Sequence, residues 1–125
     1  MQAMSTLNLS QGSVEQKRQE IKAYFTDSFD TYESLFTCLA SDEAYFQRAE
    51  KLRHPLIFYF GHTTTFFINK LILAKIISER INPRFESLFA IGVDEMSWDD
   101  LNDENYAWPS VDEVRQYRRQ VRDLV

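Results

Sequence analysis

From Pro55 to Pro83 the chain reads PLIFYFGHTTTFFINKLILAKIISERINP, and the reading of this stretch decides the fold. Proline suits the first position of a helix, where its missing N–H costs nothing, and Asn82 with Pro83 supplies a stop. Between them the pattern predicts one central helix over 56–81. Leu56, Phe58, Phe60, Phe67, Leu71, Leu73, Ile76 and Ile77 do not fall on one face, so this helix is expected to be enclosed on several sides. A membrane span is not expected. Gly61, His62, Thr63 to Thr65, Asn69, Lys70 and Lys75 interrupt the run, and no stretch of about 18 uninterrupted apolar residues remains.

Working towards the N-terminus, Ser41 with Asp42 and Glu43 signals a helix start. Tyr45, Phe46, Ala49 and Leu52 then make one apolar stripe, which predicts a second, short helix. Before it, Ser13 and Gln16 form a capping box. The series Val14, Ile21, Tyr24, Phe25, Phe29, Tyr32, Leu35, Phe36, Leu39 repeats at helical spacing and predicts a first helix over 14–39. Residues 1–12 read as a flexible N-terminus, and 13–125 as a single partial helical bundle. The polar start, Met1 to Ser13, lacks the basic and apolar regions of a signal peptide, and Cys38 is the only cysteine. A cytoplasmic, reducing setting is therefore the expectation.

Working towards the C-terminus, Asn82 to Pro109 carries no long period. Phe85, Leu88 and Phe89 fit one short helical turn within what is otherwise a long ordered loop. Ser110 and Glu113 form a further capping box, followed by Val111, Val114, Tyr117, Val121, Leu124 and Val125 on one stripe. Arg115, Arg118, Arg119 and Arg122 are read as one face opposite that stripe, either solvated, paired with acidic residues or holding an anion. The fold class that results is all-α, an incomplete four-helix bundle of three principal helices and a decorated loop. Three helices leave the central one partly bare, so a homo-oligomer or a further helix beyond Val125 is expected to cover it.

Chemistry-bearing residues are sparse. The formal net charge of −5 argues against general nucleic-acid binding. With Gly12, Gly61 and Gly92 as the only glycines, a glycine-rich phosphate loop is impossible, and no HExxH, CxxC, HxxxH or nucleophile-elbow spacing occurs. His54 and His62 are the two histidines. On one helix they would lie about 12 Å apart along its axis, too far to share a metal. His54, before Pro55, reads as a flank of the helix start. His62 sits mid-helix in an apolar setting, where it is either a satisfied core histidine or a metal ligand or acid/base group. Tyr59, Thr65 and Asn69 share its side at i−3, i+3 and i+7. The acidic run Asp94, Glu95, Asp99, Asp100, Asp103, Glu104 reads as a solvated loop or, with a histidine, as part of a facial triad.

Three strings carry a resemblance: LRHPLIFYFGHT from Leu52 to Thr63, RINPRFESLFAIGVDEMSWDDLN from Arg80 to Asn102, and WPSVDEVRQYRRQV from Trp108 to Val121. They resemble the N-terminal DinB-like domain of the 5-histidylcysteine sulfoxide synthases of ovothiol biosynthesis and, more distantly, the ergothioneine sulfoxide synthases. The resemblance implies a DinB-like four-helix bundle holding a non-haem Fe(II) ion on three histidines, the first in the GHT motif matched here by His62. The other two would come from an HxxxH pair on a later helix that this sequence does not contain. Tyr59, Thr65 and Asn69 would at most support the ligand. The implied reaction joins the sulfur of cysteine to the imidazole ring of histidine with oxygen. The isolated chain is expected to be non-catalytic and to hold iron poorly. The alternative is a stand-alone helical module that forms oligomers or binds a partner.

Overall fold

The computed structural model describes residues 6–91 and 107–125, all helix, turn or irregular chain with no strand among the described residues. They divide into two compact units, Met1–Cys38 and Leu39–Val125.

The first unit is built on α1, Val14–Leu35. Its start follows from the capping box: Gln16 N–H donates to Ser13 Oγ (3.2 Å) and Ser13 N–H to Gln16 Oε1 (2.9 Å). Phe25 and Phe29 pack as tilted rings at 5.5 Å between centroids, as do Tyr32 and Phe36 at 5.4 Å. The helix stops at Leu35 and tightens into a single 3₁₀ turn, Phe36–Cys38, short of the expected Leu39. Hydroxyls compete for the last carbonyls here, Thr37 Oγ1 donating to Ser34 O and Ser34 Oγ to Thr31 O, both at 2.6 Å.

The second unit opens with a 3₁₀ turn, Asp42–Tyr45, in place of the short helix the apolar stripe suggested. Tyr45 is buried against Phe60, 5.4 Å between centroids, whereas Phe46 and Leu52 stay exposed. Ser41 makes no capping bond, and Pro55 drives His54 out of helical geometry. Residues 46–55 therefore run as irregular chain.

The central helix, α2, spans Leu56–Leu73 and ends eight residues before the expected Ile81. Lys75 adopts a left-handed conformation, φ 59°. Its N–H donates to Ile72 O (3.0 Å) and that of Ile76 to Leu71 O (2.9 Å), the paired bonds that close a helix after a left-handed residue. Nothing in the composition marked this end, because lysine occupies a place usually held by glycine. Asn82 and Pro83, read as the stop, instead start α3, Pro83–Leu88, with Asn82 Oδ1 accepting from Phe85 N–H (3.2 Å). Helix α2 is left partly bare, as three helices predict. Ile57, Phe58, Phe60, Gly61, Thr64, Thr65 and Ile68 are buried, while Leu56, Phe66 and Leu73 remain exposed.

The last helix, α4, spans Val111–Leu124 and starts at the Ser110–Glu113 box. Val111, Val114, Tyr117 and Val121 are buried as the stripe requires, and fully burying each aliphatic side chain stabilises by about 1.5–3 kcal/mol. Arg118 overturns the expectation of an arginine face. It is 1% exposed and lies within the stripe, not opposite it. Its Nη1 donates to Phe60 O (2.7 Å), Thr64 Oγ1 (2.7 Å) and Thr63 Oγ1 (3.0 Å), and its guanidinium lies 4.7 Å from the centre of the Phe60 ring. The other three keep to the solvated side: Arg119 is exposed, Arg115 and Arg122 are half-buried, and Arg115 bonds Asp112 at 3.0 Å.

A second buried polar group joins α3 to α4. Glu86 Oε2 accepts from Tyr117 Oη (2.9 Å) and from Asn82 N–H (2.7 Å), while Arg80 lies 3.6 Å from Oε1. Burial and the adjacent carboxylate push the Tyr117 phenol well above its ordinary value, so it remains a donor to Glu86.

Two outcomes follow for stability. Lys75→Gly removes a left-handed side chain and should raise stability by about 0.5–1 kcal/mol, seen as a higher urea midpoint at unchanged slope. Arg118→Ala leaves a cavity and buried acceptors without their donor, and should lower stability by about 3 kcal/mol or more in the same measurement.

Candidate metal-ligand site on the central helix

His62 stands at the border between the buried and open faces of α2. Its imidazole lies nearly parallel to the buried Phe58 ring, one turn earlier, at 5.4 Å and 8°, and edge-on to the exposed Phe66, one turn later, at 6.4 Å. Nδ1 is 2.7 Å from the carbonyl oxygen of Phe89. A carbonyl only accepts, so Nδ1 carries the proton and Nε2 keeps its lone pair. This arrangement fixes both tautomer and ring orientation, the role that a backbone carbonyl plays behind metal-bound histidines.

The carbonyl is held in place by the packing of the Phe89 ring. Phe89 is fully buried, packed edge-on to Phe85 (5.6 Å, 76°) and parallel to Trp108 (6.1 Å, 19°). Its ring also lies directly over Gly61, where an added Cβ would come within 2.5 Å of Phe89 Cδ2. Glycine before His62 is thus a packing requirement. Phe89 lies 27 residues beyond His62, a neighbour that no local pattern names.

His54 is committed elsewhere. It is buried, stacked on the other aromatic neighbour of its stripe, Phe58, at 3.9 Å, and its Nε2 donates to Ile91 O (3.0 Å). Phe58 is stacked on His54 (3.9 Å, 24°) and on His62 (5.4 Å, 8°), so the phenyl ring stands between the two imidazoles. Both rings donate to carbonyls of the short segment after α3, which holds Phe89 and Ile91 beside α2.

The polar residues that share the side of His62 do not converge on its ring. Thr65 Oγ1 turns back to the carbonyl of His62 itself (3.2 Å), and Asn69 spans Glu86 O (3.0 Å) and Arg80 Nη1 (2.6 Å). Tyr59 accepts at its carbonyl from Thr63 Oγ1 (3.3 Å). Among the described residues no group of three His, Cys, Asp or Glu side chains is placed to hold a metal ion. The acidic run Asp94, Glu95, Asp99, Asp100, Asp103, Glu104 lies outside the described residues. His62 is accordingly one oriented nitrogen donor with an available Nε2.

Comparison with known proteins finds a match to the DinB superfamily over residues 24–125. No curated protein matches the chain.

Gly61→Ala drives a methyl group into the Phe89 ring and should cost about 1–3 kcal/mol as overpacking. It should also loosen the hydrogen bond that holds His62. The urea midpoint checks the first and nitrogen NMR of the imidazole the second: the wild-type ring should show a single Nδ1–H tautomer, and the variant a mixture.

Proposed function

The chain belongs to the DinB superfamily, and on that premise we propose that it is the portion of a non-haem iron sulfoxide synthase of the ovothiol type that supplies the first ligand, His62. The observation that carries the reading is the Nδ1–H···O=C bond to Phe89, which orients the ring and leaves the Nε2 lone pair available. The GHT string and its neighbours supply the family-level likeness. The other two nitrogen donors would come from an HxxxH pair outside this chain, whose four-residue spacing sets both imidazoles on one helix face.

The overall reaction balances as a thiol, an imidazole C–H and dioxygen giving a carbon–sulfur bond, a sulfoxide oxygen and water. Ferrous iron, when bound, supplies the positions at which thiolate and oxygen meet. The work of the chain's own residues is narrower. Phe89 O holds the proton on Nδ1, Phe58 and Phe66 flank the ring, and Gly61 lets the carbonyl approach. Cysteine and histidine would be the substrates of the complete enzyme, and the chain alone would neither turn them over nor hold Fe(II) tightly.

A second reading, a stand-alone module that forms homo-oligomers or binds a partner, draws support from the end of α2, where Leu73 is 76% and Ile76 70% exposed. Metal analysis separates the two. Joined to a helix carrying an HxxxH pair, the wild-type chain should retain ferrous iron through desalting, and His62→Ala should lose it while keeping its helical content. The unjoined chain should retain little iron with or without His62. Equal retention by both joined proteins would make His62 a core histidine and leave the binding-module reading in possession.

A further inference from the structure

We propose that the cleft at the start of α2 binds a small zwitterion, an α-amino acid with an apolar or aromatic side chain. The cleft lies wholly within the second unit and has a volume of about 680 Å³, inside the range of roughly 300–1,000 Å³ over which small-molecule sites occur. Ala44, Ala49, Leu56 and Tyr59 give it an apolar and aromatic wall, and Glu50 and Arg53 add opposite charges.

The two charges are held together yet apart. A turn closed by Arg53 N–H on Glu50 O (3.1 Å) places both residues on the cleft, but they form no ion pair with each other. Glu50 uses one carboxylate oxygen on the N–H of Leu52 (3.1 Å). No hydrogen bond or ion pair to a described residue engages the Arg53 guanidinium. Opposite charges three residues apart on the same cleft, not paired with each other and beside an apolar wall, match a ligand that carries a carboxylate and an ammonium on one carbon and an apolar group beyond it.

The backbone supplies a separate reason. Residues 46–55 have the apolar stripe of a short helix but do not form one. Had they done so, Phe46, Ala49 and Leu52 would fill inward; instead the irregular path leaves Phe46 and Leu52 outside and the cleft open. A departure from local preference that creates a concave, charged surface is where a functional site is expected. The buried His54, fixed through Ile91 O, gives the cleft a rigid wall.

The test uses the whole chain, metal-free, so that its outcome does not depend on the iron reading. Phenylalanine, leucine and histidine are titrated against it, with phenethylamine, which lacks the carboxylate, and 3-phenylpropionate, which lacks the ammonium. The methyl signals of Ala44 and Ala49 and the ring signals of Tyr59 report the cleft. At least one amino acid should shift them saturably, and both phenylalanine analogues should bind at least about tenfold more weakly than phenylalanine if that is the amino acid bound. Arg53→Gln should weaken the amino acid by about tenfold and leave the chain folded, since Arg53 is exposed. No saturable shift with any of the three amino acids, or an unchanged affinity in Arg53→Gln, would overturn the proposal.

Discussion

A guanidinium cannot be lost from water without replacing its hydration, and that constraint organises the second unit. Arg118 is buried on α4 and meets α2 at three acceptors, Phe60 O, Thr63 Oγ1 and Thr64 Oγ1. An apolar stripe would let the two helices slide or roll by part of a turn at modest cost. A buried charge does not, because a shift of one residue would leave it unsatisfied at a penalty of several kcal/mol, on the order of that for any unpaired buried ion. The register of α4 on α2 is thereby pinned within one residue of Gly61 and His62. The same turn that receives Arg118 on one side presents the imidazole on the other.

The fold was readable where local chemistry alone decides structure. Both capping boxes, at Ser13 and Ser110, begin helices because a hydroxyl and a carboxylate or amide three residues on satisfy backbone N–H groups with no tertiary help. What could not be read depended on context. Lys75 in a left-handed conformation ends α2, and the Phe46, Ala49 and Leu52 stripe fails to form a helix because the buried place is taken by Tyr45 on Phe60. Arg118 departs from its residue type, since arginine is normally exposed. Its spacing, four residues after Val114 and three before Val121, already put it in the stripe, and trusting the period over the residue type would have found it.

The candidate site divides in the same way. His62 was visible as a polar residue in an apolar helix, and Gly61 beside it as a break in the apolar run. The residue that gives both their meaning, Phe89, contributes a backbone carbonyl and a ring, neither of which leaves a signature in a sequence. Tyr59, Thr65 and Asn69 show the converse. Helical position groups them with His62, yet the hydroxyl of Thr65 is drawn to the nearest carbonyl and Asn69 to the Glu86 and Arg80 network. Sharing a face brings side chains near; hydrogen-bond competition decides what they touch.

The distribution of charge around His62 bears on what that nitrogen can do. A core histidine satisfied at one nitrogen needs either a second partner or contact with solvent, and its position half in the open face of α2 supplies the latter. The fixed guanidinium beneath the same helix is closer to Phe60 and Thr64 than to the open face, so its charge is largely spent on those acceptors. The carbonyl behind Nδ1 works in the opposite sense, drawing on the proton and making Nε2 a better electron donor. A single such donor binds a metal weakly however well it is aimed, because affinity comes from convergence of several ligands. The preorganisation seen at His62 therefore has chemical value only when other donors arrive from across the open face of α2, which is also the face on which Leu56, Phe66 and Leu73 remain uncovered.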